Sequence, residues 1–494
     1  MKFIYTIILL SLCCSCAVSH RADYHFNAKL PPQKMQEDAV LLKKILEANH
    51  PSLYWYTPAD SLDYYFSITM GKLQDSLTEL QFKNNIAWFV SKIRCGHTSV
   101  TPSKEFIETV SHLRSKQFPL YLKAWGDSLV VLGSLNAADS VLTRGTVITA
   151  IDSIANRNLL DSMFQFISTD GYGDNFKNQV ISGNFPLYYG FAYPIKDSFL
   201  IEFRDAQGLP VKTYVQLFVP VTDTTGPRQN SPKNVQLPGR KQIKQNKLLS
   251  KRSFTYDTSS QLGYMRLPGF SGGHLRQFFK ETFATLQKDK IPNLVIDLRE
   301  NTGGRISLSS NLTRYVKTST FRVADTAAAV TRSIKYAKYI RGALPYQLAM
   351  LFTSHEKNDG KYHFTALEKY VYHPYANRRY NGNIYVLQGG YTFSAAAMFV
   401  IALKGQQNVK IIGEETGGSE YGTSAIHIPT IVLPNSGVQI SLPLYRIVPN
   451  RTQEQTGRGI QPDVPVMPSS YYIKHGVDHK MEVVKQLIQQ SIKP

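Results

Sequence analysis

Cysteine is scarce in this chain: of four, three fall at positions 13, 14 and 16, so beyond the first sixteen residues only Cys95 remains. The body of the protein therefore has no intramolecular disulfide and no cysteine zinc site. The leading hydrophobic run, Phe3 to Leu12, lacks the length to cross a bilayer. It follows one basic residue and precedes small residues and cysteines, the layout of a secretory signal. Acidic residues are few, 36 against 56 Lys and Arg, for a net charge of +20. Such an excess suits nucleic acid, but an exported chain rarely meets any, and no nucleic-acid partner is expected. The basic residues are dispersed except in GRKQIKQNKLLSKR, residues 239 to 252. That run has few large apolar residues and reads as a solvated linker, with attraction to an anionic membrane or cell-wall polymer left open. No ligand spacing suggests a metal, and no cofactor is called for.

What is present is an ordinary globular body. With 494 residues, 43% of them hydrophobic, two to four domains are expected. Residues 21 to 112 read as a helical domain: Leu41, Leu42, Ile45 and Leu46 form one apolar stripe, and Ile86, Phe89, Val90 and Ile93 another. The second helix runs into Arg94-Cys95-Gly96-His97-Thr98, with Gly96 as its expected C-terminal punctuation. Residues 113 to 222 change to short alternating runs with a single helix between them, a β-rich domain. A linker over 223 to 253 leads to an α/β core over 254 to 473, and an amphipathic helix carrying Met481, Val484, Leu487 and Ile488 closes the chain within 474 to 494. An insert at 318 to 380, rich in tyrosine and basic residues and holding an apolar helical pattern, reads as a lid, a substrate wall or ordinary surface packing.

Two stretches of the core repeat one plan. In the first, apolar Leu294 to Leu298 is broken by Gly303-Gly304 and followed by an amphipathic helix. In the second, Ile384 to Leu387 passes Gly389-Gly390 into the Ala-rich segment SAAAMFVIAL. Each is strand, glycine turn, helix. Paired in a parallel sheet, both turns would lie at the carboxyl ends of their strands, where clefts form. Ser394 sits where turn becomes helix. By position alone it is an N-cap; as a nucleophile it would have free N–H groups and the positive end of the helix dipole beside it.

DLRENTGG, SAAAMFVIAL and IIGEETGG, in that order and spacing, resemble the DLRxNxGG, SASExxAxAL and VGExTxG strings of the tail-specific or C-terminal processing peptidases, relatives of the tricorn protease core and the interphotoreceptor retinoid-binding modules. The resemblance implies a crotonase-like core of ββα units, a PDZ-like reading of residues 113 to 222 with an ability to bind peptides by strand addition, and a serine peptidase with peptide or protein substrates. Where the Ser/Lys branch carries its lysine, this chain has Ser419. The base must therefore come from elsewhere, and RCGHTSV resembles the segment that supplies a histidine in the tricorn-like branch. That makes His97 the expected general base. The family's EGxGxxPD-like string corresponds to GRGIQPD. Thr456 takes the glutamate's usual place, and Glu454, two residues earlier, becomes the candidate for orienting the imidazole, with Asp463 a turn residue. Gly303, Gly304 and Ala395 are the expected oxyanion donors. Cys16 looks like the lipidated first residue of a bacterial lipoprotein, although Cys13 or Cys14 would serve, so an envelope location and a membrane anchor are expected.

The implied reaction is acyl transfer through Ser394, His97 and a carboxylate, without a metal. Two other readings use the same frame: a binding protein without the chemistry, and an esterase or amidase of the cell envelope.

Overall fold

A computed structural model of the chain describes residues 24–113, 115–136, 139–220, 239–257, 260–450 and 454–492. The signal segment and the Cys16 expectation lie outside these residues. The N-terminal region is helical, over Pro32–Asn49, Ala59–Gly71, Glu79–Ser91 and Lys104–Ser111. Thr78 and Gln81 form a capping box that starts the third helix. The apolar stripes of these helices do not make a separate core. Leu42, Ile45, Phe89 and Val90 pack with Ile431, Ile440, Leu442 and Tyr445 from the far end of the chain, and Val100-Thr101 pairs antiparallel with Gln439-Ile440. The segment around residue 97 is thereby fixed to the late strands.

The helix before His97 ends at Ser91, and the residue that turns left-handed is Arg94 (φ +59°), whereas Gly96 has no positive φ. Punctuation is therefore not the work of Gly96. A Cβ there would lie 2.5 Å from Phe393 Cζ, so the glycine is required by close approach to the loop that carries Ser394.

The middle region is an antiparallel sheet whose main strands run in the order Leu120–Trp125, Ser128–Ser134, Val147–Ile151, Ser198–Arg204, Pro210–Gln216. Three helices accompany it where the sequence suggests one: Asn156–Phe164, Asn175–Gly183 and Phe185–Ala192. The last two are short and aromatic, a composition with little helical signature of its own. Phe185 and Tyr189 hold the last by packing on Phe118 and Phe199, and Ile181 anchors the one before it in the same core. Within the run at 239 to 252, Arg240–Leu249 is a helix with none of its residues buried. Its Arg, Lys, Gln and Leu are good helix formers even without a core to face.

The core is a six-stranded sheet in sequential order: β1 (Ser253–Asp257), β2 (Leu262–Arg266), β3 (Asn293–Asp297), β4 (Asn383–Gln388), β5 (Val409–Gly413) and β6 (Val464-Pro465). Strand β1 is antiparallel to β2, and the others are parallel. Helix α1 (Leu275–Lys288) joins β2 to β3, and α2 (Ile306–Val316) follows β3. Within the 318 to 380 insert lies α3 (Ala343–Thr353); α4 (Ala395–Leu403) joins β4 to β5, and α5 (His479–Ile492) ends the described chain. Helices α1, α2 and α4 cover the face bearing Leu294, Ile296, Val386 and Ile411. Val484 and Ile488 of α5 cover the face bearing Val295, Tyr385, Leu387 and Ile412. Burial on both faces explains why these strands read as unbroken apolar runs. Asp463, just before β6, accepts a hydrogen bond from Ile411 N (2.8 Å), the structural part expected of it.

Candidate active site

Strands β3 and β4 are parallel neighbours, so their two glycine turns meet at the carboxyl end of the sheet. Gly389 N donates to Thr392 Oγ1 (3.1 Å), Thr392 Oγ1 donates to Leu298 O (2.8 Å), and Phe393 N donates to Asn301 O (3.1 Å). These bonds tie one turn to the other. Ser394 follows with φ +52° and ψ −123°, a conformation that L residues avoid, at a cost on the order of 1–3 kcal/mol. The N-cap role suggested by position is unfilled, because the Ser394 side chain accepts no N–H of α4. Half-buried at the helix start, the hydroxyl makes no hydrogen bond among the described residues.

Gly303 lies directly over this serine. With φ +104°, it would place a Cβ 2.6 Å from Ser394 Cβ and 3.0 Å from Ala395 N, so only glycine fits. Its own N–H donates to Asn301 Oδ1 (2.9 Å) and is thus engaged, a departure from the donor role the sequence suggests for it. The N–H groups of Gly304 and Ala395 donate to nothing among the described residues; Gly304 is exposed and Ala395 is buried. Two of the three expected donors therefore carry no hydrogen bond among the described residues.

The ring of His97 packs on that of Phe393, the residue before Ser394, with centroids 4.9 Å apart. Rings 296 positions apart in the sequence are thus brought together, one of them on the residue before Ser394, and no hydrogen bond joins His97 to Ser394. His97 Nδ1 lies 3.1 Å from Thr423 Oγ1, and Thr423 Oγ1 donates to Asp170 Oδ2 (2.9 Å). Gly96 N donates to the other oxygen, Asp170 Oδ1 (2.8 Å). A hydroxyl has one proton, and here it goes to the carboxylate. The Thr423 oxygen must then accept from Nδ1–H, which leaves the lone pair of the neutral ring on Nε2. Burial pulls the pKa of His97 below its ordinary value, and the charge of Asp170 acts in the opposite direction.

Glu454 is exposed, and its carboxylate makes no hydrogen bond among the described residues. The carboxylate linked to the imidazole is that of Asp170, 3% exposed and on the loop between two helices of the middle region. Tyr172 N donates to Gly457 O (2.8 Å), so the 170–172 loop is packed against the segment just after Glu454, and Asp170 is the carboxylate beside Thr423. Asp170 and Thr423 escape sequence reasoning because STDGYGD reads only as a turn and TSA as a short strand. Ser419, in the register of the dyad lysine, is buried and accepts a hydrogen bond from the Tyr56 hydroxyl (3.2 Å).

Residues 261–466 match the family model described as Peptidase family S41. Solved structures of mature CPAF and of mature CPAF complexed with lactacystin are each 14% identical to this chain with a TM-score of 0.63, covering 93% of it and 97% and 98% of their own lengths. At that identity the likeness is one of fold. The photosystem II D1 C-terminal processing protease is 15% identical over 92% of this chain and 97% of its own, with a TM-score of 0.39. Among curated proteins none matches.

Proposed function

We propose, from the premise that residues 261–466 are a peptidase family S41 domain and the chain a serine-type peptidase acting on peptides or proteins, that Ser394 is its nucleophile and His97 the base that activates it. The observation carrying this reading is the junction at Phe393: an unbonded hydroxyl in a strained turn, next to an imidazole whose protonated nitrogen is turned towards Thr423 and Asp170. Ser394 Oγ attacks the scissile carbonyl as its proton passes to His97 Nε2. The N–H groups of Ala395 and Gly304 receive the oxyanion. The imidazolium then protonates the leaving amine, and water, deprotonated by the same ring, releases the acyl group. Asp170, through Thr423, is the carboxylate that holds the imidazole, in place of Glu454.

At finer grain, the β3–α2 and β4–α4 units fit a crotonase-like core, and the middle sheet fits a PDZ-like module. Export and lipidation at Cys16 rest on the sequence layout alone; metabolic labelling with an alkynyl fatty acid that Cys16→Ala abolishes would test them. A fluorophosphonate probe tests the chemistry. It should label the parent chain and neither Ser394→Ala nor His97→Ala. An unlabelled parent would favour the rival reading, a binding protein on a peptidase frame, for which the missing bond between Ser394 and His97 is the one specific support.

A further inference from the structure

Helix α3 has two apolar faces and no charged residue. Ala343, Tyr346 and Met350 turn inward, to a core shared with the N-terminal helices. Leu344, Leu348, Leu351 and Phe352 turn outward, spanning about 100° of arc on the opposite side. Phe352 is 81% and Leu344 69% exposed, so these side chains project as a ridge and line no groove. Single exposed leucines need no explanation, but four on one helical face do.

The segment that carries the ridge is basic, with its first acid, Glu356, beyond the end of α3. Residues 326 to 355 contain no Asp or Glu, and hold Arg332, Lys335, Lys338 and Arg341. All four are exposed and none is in an ion pair among the described residues; Arg341 Nη1 donates to Gln439 Oε1 (3.0 Å), and Lys338 lies on the 3₁₀ turn that packs against α3. Projecting Leu and Phe on a basic segment make the chemistry of a helix that lies in a membrane interface. Among the described residues no helix is long and apolar enough to cross a membrane, so α3 would lie along the surface. A symmetric contact with a second copy would set these cations against their own images, which disfavours that occupant.

We infer that α3 docks this chain on an anionic lipid surface, inserting Leu344, Leu348, Leu351 and Phe352 among the acyl chains while Lys335 and Lys338 contact headgroups. The inference does not depend on the chemistry at Ser394. The test is co-sedimentation of the full chain with vesicles of phosphatidylglycerol and phosphatidylcholine, against vesicles of phosphatidylcholine alone, comparing the parent with Leu348→Ser/Phe352→Ser. Both proteins share one N-terminus, so only α3 differs. The double variant should lose about ten-fold or more in partition to the anionic vesicles, with fluorophosphonate labelling and melting temperature unchanged, and the difference should shrink in high salt. Should the variant not fold, Phe352→Cys carrying an environment-sensitive fluorophore, in a background with Cys13, Cys14 and Cys16 replaced by Ser, reads the same contact: its emission should shift to the blue on anionic vesicles only. Equal partition of parent and variant, no blue shift, or loss in the variant of a concentration-dependent dimer without any vesicle difference would each overturn the inference.

Discussion

Replacing Asp170 by Asn keeps the shape of the link to His97 and alters only its protons. In the parent, the Thr423 hydroxyl gives its proton to Asp170 Oδ2 at 2.9 Å and faces His97 Nδ1 at 3.1 Å with a lone pair. An Asn amide in that place can donate to the Thr423 oxygen, freeing the hydroxyl proton for Nδ1. The ring proton then moves to Nε2, the nitrogen that must accept from Ser394. Where a carboxylate touches the imidazole directly, as in a Ser-His-Asp triad, a wrong tautomer of this kind costs roughly 10⁴-fold, and an intervening hydroxyl, free to rotate, makes a loss of about 10²–10⁴-fold in kcat/KM the expectation here. Thr423→Val removes the link without inverting it and should cost about 10–10²-fold. The pH profile separates an electrostatic part from a merely structural one. Because Asp170 holds the pKa of His97 up against burial, losing its charge lowers that pKa, so the acid limb of kcat/KM should move to lower pH in Asp170→Asn. Steady-state cleavage of a fluorogenic peptide over a pH series measures both effects. Asp170→Asn with parental kcat/KM and an unmoved acid limb would refute the relay, and a Glu454→Gln variant with the larger loss would return the acid to the C-terminal loop.

Three further outcomes follow from the same geometry. Ser394→Gly should be inactive yet more stable than Ser394→Ala by about 1 kcal/mol in chemical denaturation, since φ +52° favours glycine. Gly96→Ala sets a Cβ 2.5 Å from Phe393 Cζ, so it should cost about 1–3 kcal/mol and reduce kcat/KM by displacing the residue next to Ser394, while a Gly→Ala change at Gly239, with open space around it, should do neither. Lys83 is buried against the ring of Phe191, and burial lowers its pKa from 10.5 to about 8. Between those values the unfolded chain binds more protons, so stability rises with pH. Lys83→Met should therefore stabilise the fold by about 3 kcal/mol below pH 8, with the gain vanishing towards pH 10.5 in urea titrations.

The local plan of the core was legible because its signals are local. Apolar runs bounded by Gly303-Gly304 and Gly389-Gly390 mark β3 and β4, and the stripe at Val484 and Ile488 marks α5. Less legible were the elements whose form is imposed by neighbours: the aromatic helices at 175 to 192, held in the core around Phe118 and Phe199, and the helix at 240 to 249, where a charged composition concealed good helix formers. Gly96 shows the same limit on a single residue. Its sequence position suggests a helix stop, and its use, room for Phe393, belongs to a residue almost 300 positions away.

Sequence alone determined which groups are available: a serine at a strand–helix turn, a histidine on a loop beyond a helix, and no lysine at position 419. These follow from residue type and from short-range periodicity, which the chain carries with it. Which carboxylate serves the imidazole was decided only in three dimensions. Asp170 reaches His97 through Thr423, on a loop that packs on Gly457, while Glu454 is exposed. No pattern within a segment encodes such a contact, since it depends on how loops from three parts of the chain come together.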